Sequence, residues 1–127
     1  MSGLLSKYRV LDIAEETGIL CGRFLGDFGA EVIKVQSQKT AKGAELNTAG
    51  YFNTWNRNKL SITLDLSHPE AKDIVLKLVR ISDVVIENFT PRVMMNWDLG
   101  YDRLAEVKPN IIMLSMSGMG RTGPWGD

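Results

Sequence analysis

Short apolar runs alternate with stretches of helical periodicity along this chain, and that alternation predicts most of its elements. Tyr8 to Ile13 (YRVLDI) is β-branched and apolar and reads as a strand. Gly18 to Phe28 follows with a helix-like pattern that ends at Gly29. Glu31 to Val35 (EVIKV) is a second strand. The polar stretch from Gln36 to Gly50 has few apolar residues to bury and is expected to form a surface loop. Tyr51 to Asn58, aromatic and amide-rich, predicts a single helical turn before Ser61 to Leu66 (SITLDL), the third strand.

Ser67-His68-Pro69-Glu70 carries the clearest local signal. Serine is placed to cap the helix amides, proline suits an early helical position, and glutamate three residues after the serine completes a capping box. Beyond it Ala71, Ile74, Val75, Leu78 and Val79 share one face at helical spacing, and the run ends near Arg80. Asp83 to Glu87 (DVVIE) is nearly continuous in apolar residues, as a parallel strand covered on both faces should be. Pro91 to Trp97 and Tyr101 to Glu106 predict short helices, Ile111 to Ser115 (IIMLS) a fifth strand, and the tail from Ser117 is turn-rich. Strands alternating with helices argue for an α/β fold: an open, parallel, Rossmann-like sheet with helices on both faces and right-handed crossovers, in one unit over residues 1–127.

Composition changes this picture only by narrowing the partners. With 44% apolar and 24% charged residues the chain has the make-up of a soluble domain with a real core. Fifteen basic and fifteen acidic residues cancel, so no global field draws in nucleic acid or an anionic membrane. An anionic ligand must be held by local geometry. Cys21, in the Gly-rich run Ile19-Leu20-Cys21-Gly22, has no intrachain disulfide partner and reads as a core thiol in a reducing compartment. No uncharged apolar stretch approaches the ~20 residues of a membrane span, and the start lacks a signal-like apolar region, so the expected location is the cytoplasm.

Several chemistries lack their parts. His68 is the sole histidine and sits at a helix entry, which leaves no basis for a Ser-His-Asp or Cys-His system. No metal-ligand cluster and no GxxxxGK[ST] phosphate loop is present. A dinucleotide site is disfavoured too: no GxGxxG follows the first strand, and the second ends at Val35-Gln36-Ser37, where NAD would call for an acidic residue. Gly18, Gly22 and Gly26, spaced by four, read as a packing stripe. Ligand candidates lie at the carboxyl ends of the strands: Glu15 to Thr17, Gln36 and Ser37, Asp65 to Ser67, Asn88 to Thr90, and Ser115 to Gly120. In Asn88-Phe89-Thr90-Pro91 an exposed aromatic flanked by hydrogen-bonding groups would suit a planar heterocycle such as adenine.

Several segments together resemble the family III CoA-transferases, the group of formyl-CoA and carnitine CoA-transferases. They are Arg9-Val-Leu-Asp12, Gly26-Asp-Phe-Gly-Ala-Glu-Val-Ile-Lys-Val35, Asn56-Arg-Asn-Lys59 with Ser61 to Leu66, Asp83 to Phe89 with Pro91, Leu99-Gly-Tyr101, Pro109-Asn110, and Ser117-Gly118 with Thr122-Gly-Pro124. They run in the family's order from Tyr8 to Trp125. The resemblance implies reversible transfer of CoA between an acyl-CoA donor and a carboxylic acid, through anhydride and thioester intermediates on an aspartate. The family places that aspartate further along than this chain extends, and none of the eight aspartates here matches it, so no catalytic residue is assigned.

The resemblance also implies CoA contacts at Glu16 and Thr17, at Leu64, Asp65, Leu66 and Ser67, and at Asn88, Phe89 and Thr90, with no metal and no NAD. Ser37 stands where the family commonly has a phosphate-binding arginine, Ser67 where lysine is common, and Asn96 near a usual arginine. Arg92, in place of a usual glycine, is placed to restore some of that charge. Each lost charge-assisted contact removes ~1.5–3 kcal/mol. The full-length family member is an interlocked homodimer of two ring-like chains. Two further readings stand beside the transferase: an α-methylacyl-CoA racemase of the same superfamily, and a non-catalytic CoA-binding fragment. Glu87-Asn88-Phe89 and Asn56 to Lys59 look more like the transferases.

Overall fold

The computed structural model describes residues 3–15, 17–37 and 50–126. Arg9–Asp12 (β1), Glu31–Gln36 (β2), Lys59–Thr63 (β3), Val84–Glu87 (β4) and Ile112–Ser115 (β5) form one five-stranded parallel sheet in the order β3-β2-β1-β4-β5. The first strand is therefore the central one: Leu11 lies opposite Ile33 on one side and Val85 on the other. The helices are Ile19–Asp27 (α1), Tyr51–Asn56 (α2), Pro69–Arg80 (α3), Pro91–Asn96 (α4) and Tyr101–Val107 (α5). The expected α/β architecture is present. Most of the polar stretch read as a surface loop, residues 38–49, lies outside the described residues.

Strand alternation divides the apolar residues between two cores. Val10, Ala14, Val32 and Ile86 face α1, where Cys21 and Leu25 pack on them. Leu11, Val35 and Val85 face the other way, against Val75 and Val79 of α3, Met94 of α4 and Leu104 of α5. Since each fully buried Val, Leu or Ile is worth ~1.5–3 kcal/mol, a one-residue slip of β1 would exchange the occupants of both cores at once, which fixes its register. The outer strands are covered less. Leu60 of β3 is 57% and Ile112 of β5 is 62% exposed.

Three details differ from the sequence expectation. The third strand runs from Lys59 to Thr63 and not to Leu66, because after Leu64 N donates to Gln36 O the chain turns on the Asp65 carboxylate. The cap of α3 is His68, not Ser67: the Ser67 hydroxyl is committed to Asp65 Oδ1 at 2.5 Å, while His68 Nδ1 accepts from Glu70 N at 3.4 Å. The helix still starts where expected. Pro69 opens it, Glu70 lies in its first turn and Lys77 and Arg80 in its last, matching the helix dipole at both ends. Its buried face is Ala71, Val75, Leu76 and Val79, and Ile74 turns outward, because α3 rests on the sheet and on α5 together.

Candidate functional site

All five strands run parallel, so their carboxyl ends gather on one edge of the sheet, and the loops that leave them are built around buried charge. Asp12, the last residue of β1, is fully buried. It accepts from Ala14 N at 3.1 Å and from Lys59 Nζ at 2.8 Å, and Lys34 Nζ stands 3.5 Å from its other oxygen. Lys59 Nζ also donates to Ile19 O at 2.9 Å and Asn56 Oδ1 at 3.2 Å, and Lys34 Nζ donates to Ala14 O. A buried carboxylate costs several kcal/mol to desolvate, and these bonds offset that cost. One carboxylate faces two ammonium groups. Burial lowers the Lys34 pKa, the Asp12 charge opposes that shift, and repulsion from Lys59 adds to it.

The glycine stripe is explained by the same cluster. A Cβ on Gly22 would overlap the Asp12 carboxylate and stand 3.2 Å from Lys59 Nζ, so α1 can lie over the ion pair only with glycine there. The motif Asn56-Arg57-Asn58-Lys59 is likewise scaffold. Asn56 and Lys59 belong to the ion cluster, Arg57 binds Asp27 of α1 through two bonds of 3.0 and 2.6 Å, and Asn58 adds a third at 3.0 Å from a left-handed conformation (φ 63). These bonds, led by that from Arg57, hold the Asp27 carboxyl below the usual range. The motif's side chains are absorbed in fastening α1.

The β1 and β4 loops are joined directly. Asn88 Oδ1 accepts from Glu15 N at 2.7 Å, and Asn88 Nδ2 donates to Glu15 O at 3.3 Å and to Thr17 Oγ1 at 2.7 Å. Thr17 and Asn88, two of the sequence candidates, are thus brought into contact, while Glu16 lies outside the described residues. Phe89 is not the exposed platform expected for adenine. Its ring is half-buried, packs against the larger core and meets Trp97 edge-on with centroids 5.0 Å apart. Its backbone amide donates to Glu87 Oε2 at 2.9 Å. Thr90 is exposed at the start of α4, with its carbonyl accepting from Val93 N.

The other candidates divide similarly. Leu64 and Leu66 are half-buried and pack on the larger core. Between them Asp65 is exposed and organises the turn through Ser67. Ser37 follows the end of β2 and is half-buried. Asn96 is exposed at the far end of α4, ~8 Å along the helix from Pro91, and so stands off the edge that holds the rest. Arg92 is exposed in the first turn of α4.

Sequence reasoning missed a second buried charge on this edge. Glu87 at the end of β4 is fully buried, and its Oε1 accepts from Arg121 Nη1 at 2.8 Å, which also donates to Ser115 Oγ at 2.9 Å. The Gly-rich tail is pinned across β4 and β5 by that guanidinium. The usable signal was a charged residue directly following apolar ones inside or at the end of an inner strand: Asp12 in RVLD, Lys34 in EVIKVQ and Glu87 in VVIE. Among the described residues no group of His, Cys, Asp and Glu is arranged to hold a metal ion, and no helix is long and apolar enough to cross a membrane.

Comparison with known proteins adds the family. The family model described as CoA-transferase family III matches residues 5–127. The succinyl-CoA–D-citramalate CoA-transferase of Chloroflexus aurantiacus is 41% identical over 97% of this chain and 33% of its own length. The formyl-CoA:oxalate CoA-transferase of Rhodopseudomonas palustris is 35% identical over 100% of this chain and 32% of its own. Among solved structures, a CaiB/BaiF family protein from Brucella suis superposes with a TM-score of 0.87 at 33% identity, over 99% of this chain and 36% of that one. The chain thus spans about a third of the length of the relatives it matches. A match that runs through every strand and loop described above shows that the chain belongs to CoA-transferase family III.

Proposed function

We propose that this chain binds the CoA part of an acyl-CoA, within a protein that transfers CoA from an acyl-CoA donor to a carboxylic acid acceptor. The observation that carries the reading is the family match from residue 5 to residue 127, which takes in every candidate loop. In this reading CoA lies at the carboxyl edge of the sheet, over the loops at Glu16 and Thr17, Ser37, Leu64 to Ser67, and Asn88 to Thr90. Asn96, off that edge, is reached only by an extended ligand. The acyl group passes through an anhydride and CoA through a thioester on an aspartate supplied outside these 127 residues, and the whole protein assembles as an interlocked homodimer.

The test is calorimetric titration of the folded chain with CoA and with dephospho-CoA. We expect saturable binding of CoA. The loss on removing the 3′-phosphate should be under about tenfold, because Ser37 and Ser67 stand where cations would be expected and the Ser67 hydroxyl is already given to Asp65. A folded chain that shows no heat with millimolar CoA would sink the reading. Phe89→Ala is a poor probe of ligand stacking, because the half-buried ring supports the larger core.

A further inference from the structure

We infer that Glu87 is a positioning residue: its buried carboxylate sets the backbone of the turn from Asn88 to Thr90, on which CoA lies, and Arg121 is the counter-ion that holds the carboxylate there. The proposal rests on the CoA-binding reading above. Glu87 ends β4 without solvent exposure, and its two oxygens have separate tasks. Oε2 accepts from Phe89 N at 2.9 Å, two residues on, and Oε1 accepts from Arg121 Nη1 at 2.8 Å, 34 residues on. Arg121 Nη1 also donates to Ser115 Oγ at 2.9 Å, and Ser115 is the register partner of Glu87 on β5. The guanidinium is therefore fixed on the same two strands as the carboxylate it neutralises.

Burial separates this pair from an ordinary surface ion pair. A carboxylate out of water persists only where a cation and hydrogen-bond donors take up its charge, and here the ion-pair partner is Arg121. Strand alternation turns Glu87 to the same side of the sheet as Val85, toward the larger core against which Phe89 packs. Three residues separate Glu87 from Pro91 at the start of α4, and Glu87 takes the amide of the middle one. The Phe89 ring is held independently, edge-on to Trp97, so both ends of that residue are fixed before a ligand arrives. A turn already ordered does not subtract its ordering entropy from the binding free energy. Glutamine would offer Phe89 an acceptor without needing a cation. The carboxylate instead makes the turn conditional on Arg121, and so ties the β4 loop to the glycine-rich segment after β5.

The test compares wild type with two double variants that carry no buried charge: Glu87→Gln with Arg121→Leu, and Glu87→Met with Arg121→Leu. The first keeps an acceptor for the Phe89 amide; the second, of similar size, has none. Amide hydrogen exchange of the ligand-free chain, CoA affinity by calorimetry and thermal stability are measured on all three, at a temperature where each is folded. The Phe89 amide should exchange about tenfold faster in the methionine variant than in the glutamine variant, and CoA should bind the methionine variant about tenfold more weakly. Glutamine should recover affinity to within about threefold of wild type. Four results would overturn the proposal. Equal Phe89 exchange in the two variants would show that residue 87 does not order the turn. Faster exchange in the methionine variant with equal CoA affinities would make the bond structural only. An equal loss of affinity in both variants, with Phe89 exchange preserved by glutamine, would make Arg121 a direct ligand contact. Absence of CoA binding by wild type would refute the CoA reading and the ligand half of this proposal with it, while the exchange comparison would still decide whether Glu87 orders the turn.

Discussion

Asp12, Lys34 and Lys59 share one buried space, yet the two lysines are not equivalent. Lys59 Nζ has three oxygen partners at 2.8–3.2 Å, whereas Lys34 reaches the carboxylate only at 3.5 Å and has its pKa depressed by burial. Removing the first leaves Asp12 without its short partner and two further acceptors without a donor; removing the second takes the donor from Ala14 O but relieves an excess positive charge. Lys59→Met should therefore cost about 3–5 kcal/mol and Lys34→Met less, about 1–2 kcal/mol, as measured by urea unfolding with an unchanged slope. Equal losses would show that the two ammonium groups share Asp12 evenly.

At the scale of elements, α1 depends on one glycine of its stripe and not on another. Gly22 faces the Asp12 carboxylate with no room for a methyl group, whereas a Cβ on Gly26 would meet Asn58 and Val32 at 3.4–3.5 Å, an ordinary contact. Gly22→Ala should cost about 3 kcal/mol, and Gly26→Ala should fall between neutral and about 1 kcal/mol stabilising, from its better helix propensity. Thermal melts of the two variants would separate these cases, and a Gly22→Ala protein as stable as wild type would mean that α1 can ride up off the sheet freely.

That stripe was legible in the sequence as packing, because spacing by four is a property of the helix alone. The strands were legible for a similar reason, within two or three residues at their ends. What escaped the sequence are features made by residues far apart in the chain. The use of Asn88 on Glu15 and Thr17 crosses 71–73 residues, and the bond of Arg121 to Glu87 crosses 34. Ser67 shows the converse failure. Its capping signal is local and correct in type, but a nearer acceptor, Asp65, takes the hydroxyl and leaves the cap to His68. Phe89 read as exposed because periodicity does not place a loop aromatic, and Trp97, which covers its edge, comes from the end of the next helix.

Across the molecule, Asp27, Asp83 and Asp98 are among the carboxylates that tie separate elements together. Asp27 ties α1 to Arg57 and Asn58 beyond α2, Asp83 accepts from Arg9 N at the amino end of β1 and from Lys108 ahead of β5, and Asp98 joins Lys72 of α3 to Arg103 of α5. Each carboxyl is held below its usual range, Asp83 chiefly by the Arg9 amide and Asp98 chiefly by Lys72. A depressed carboxyl pKa contributes stability that is present above the unfolded value, near pH 4, and is lost as pH falls through the lower folded value. Stability should fall as pH drops below about 4, and the fall should be shallower in Asp83→Asn; identical acid limbs would show that Asp83 has no share in it. Lys34 acts in the opposite sense at the alkaline end. Its native form gives up its proton before the unfolded chain does, so its contribution becomes more favourable as pH rises toward the ordinary lysine value.

The central place of β1 in the sheet also has a consequence for synthesis. Once synthesised, β1 can pair with β2 early, but its other edge waits for β4, whose neighbouring Asp83 lies 74 residues after Arg9. Between the appearance of Gln36 and that of Glu87 roughly 50 residues must be added, a delay of about 3–10 s at ordinary elongation rates. For that interval the nascent chain carries an unpaired strand edge bearing Val10 and Leu11, and it is then that a chaperone, or a neighbouring nascent chain, meets this protein at its most adhesive.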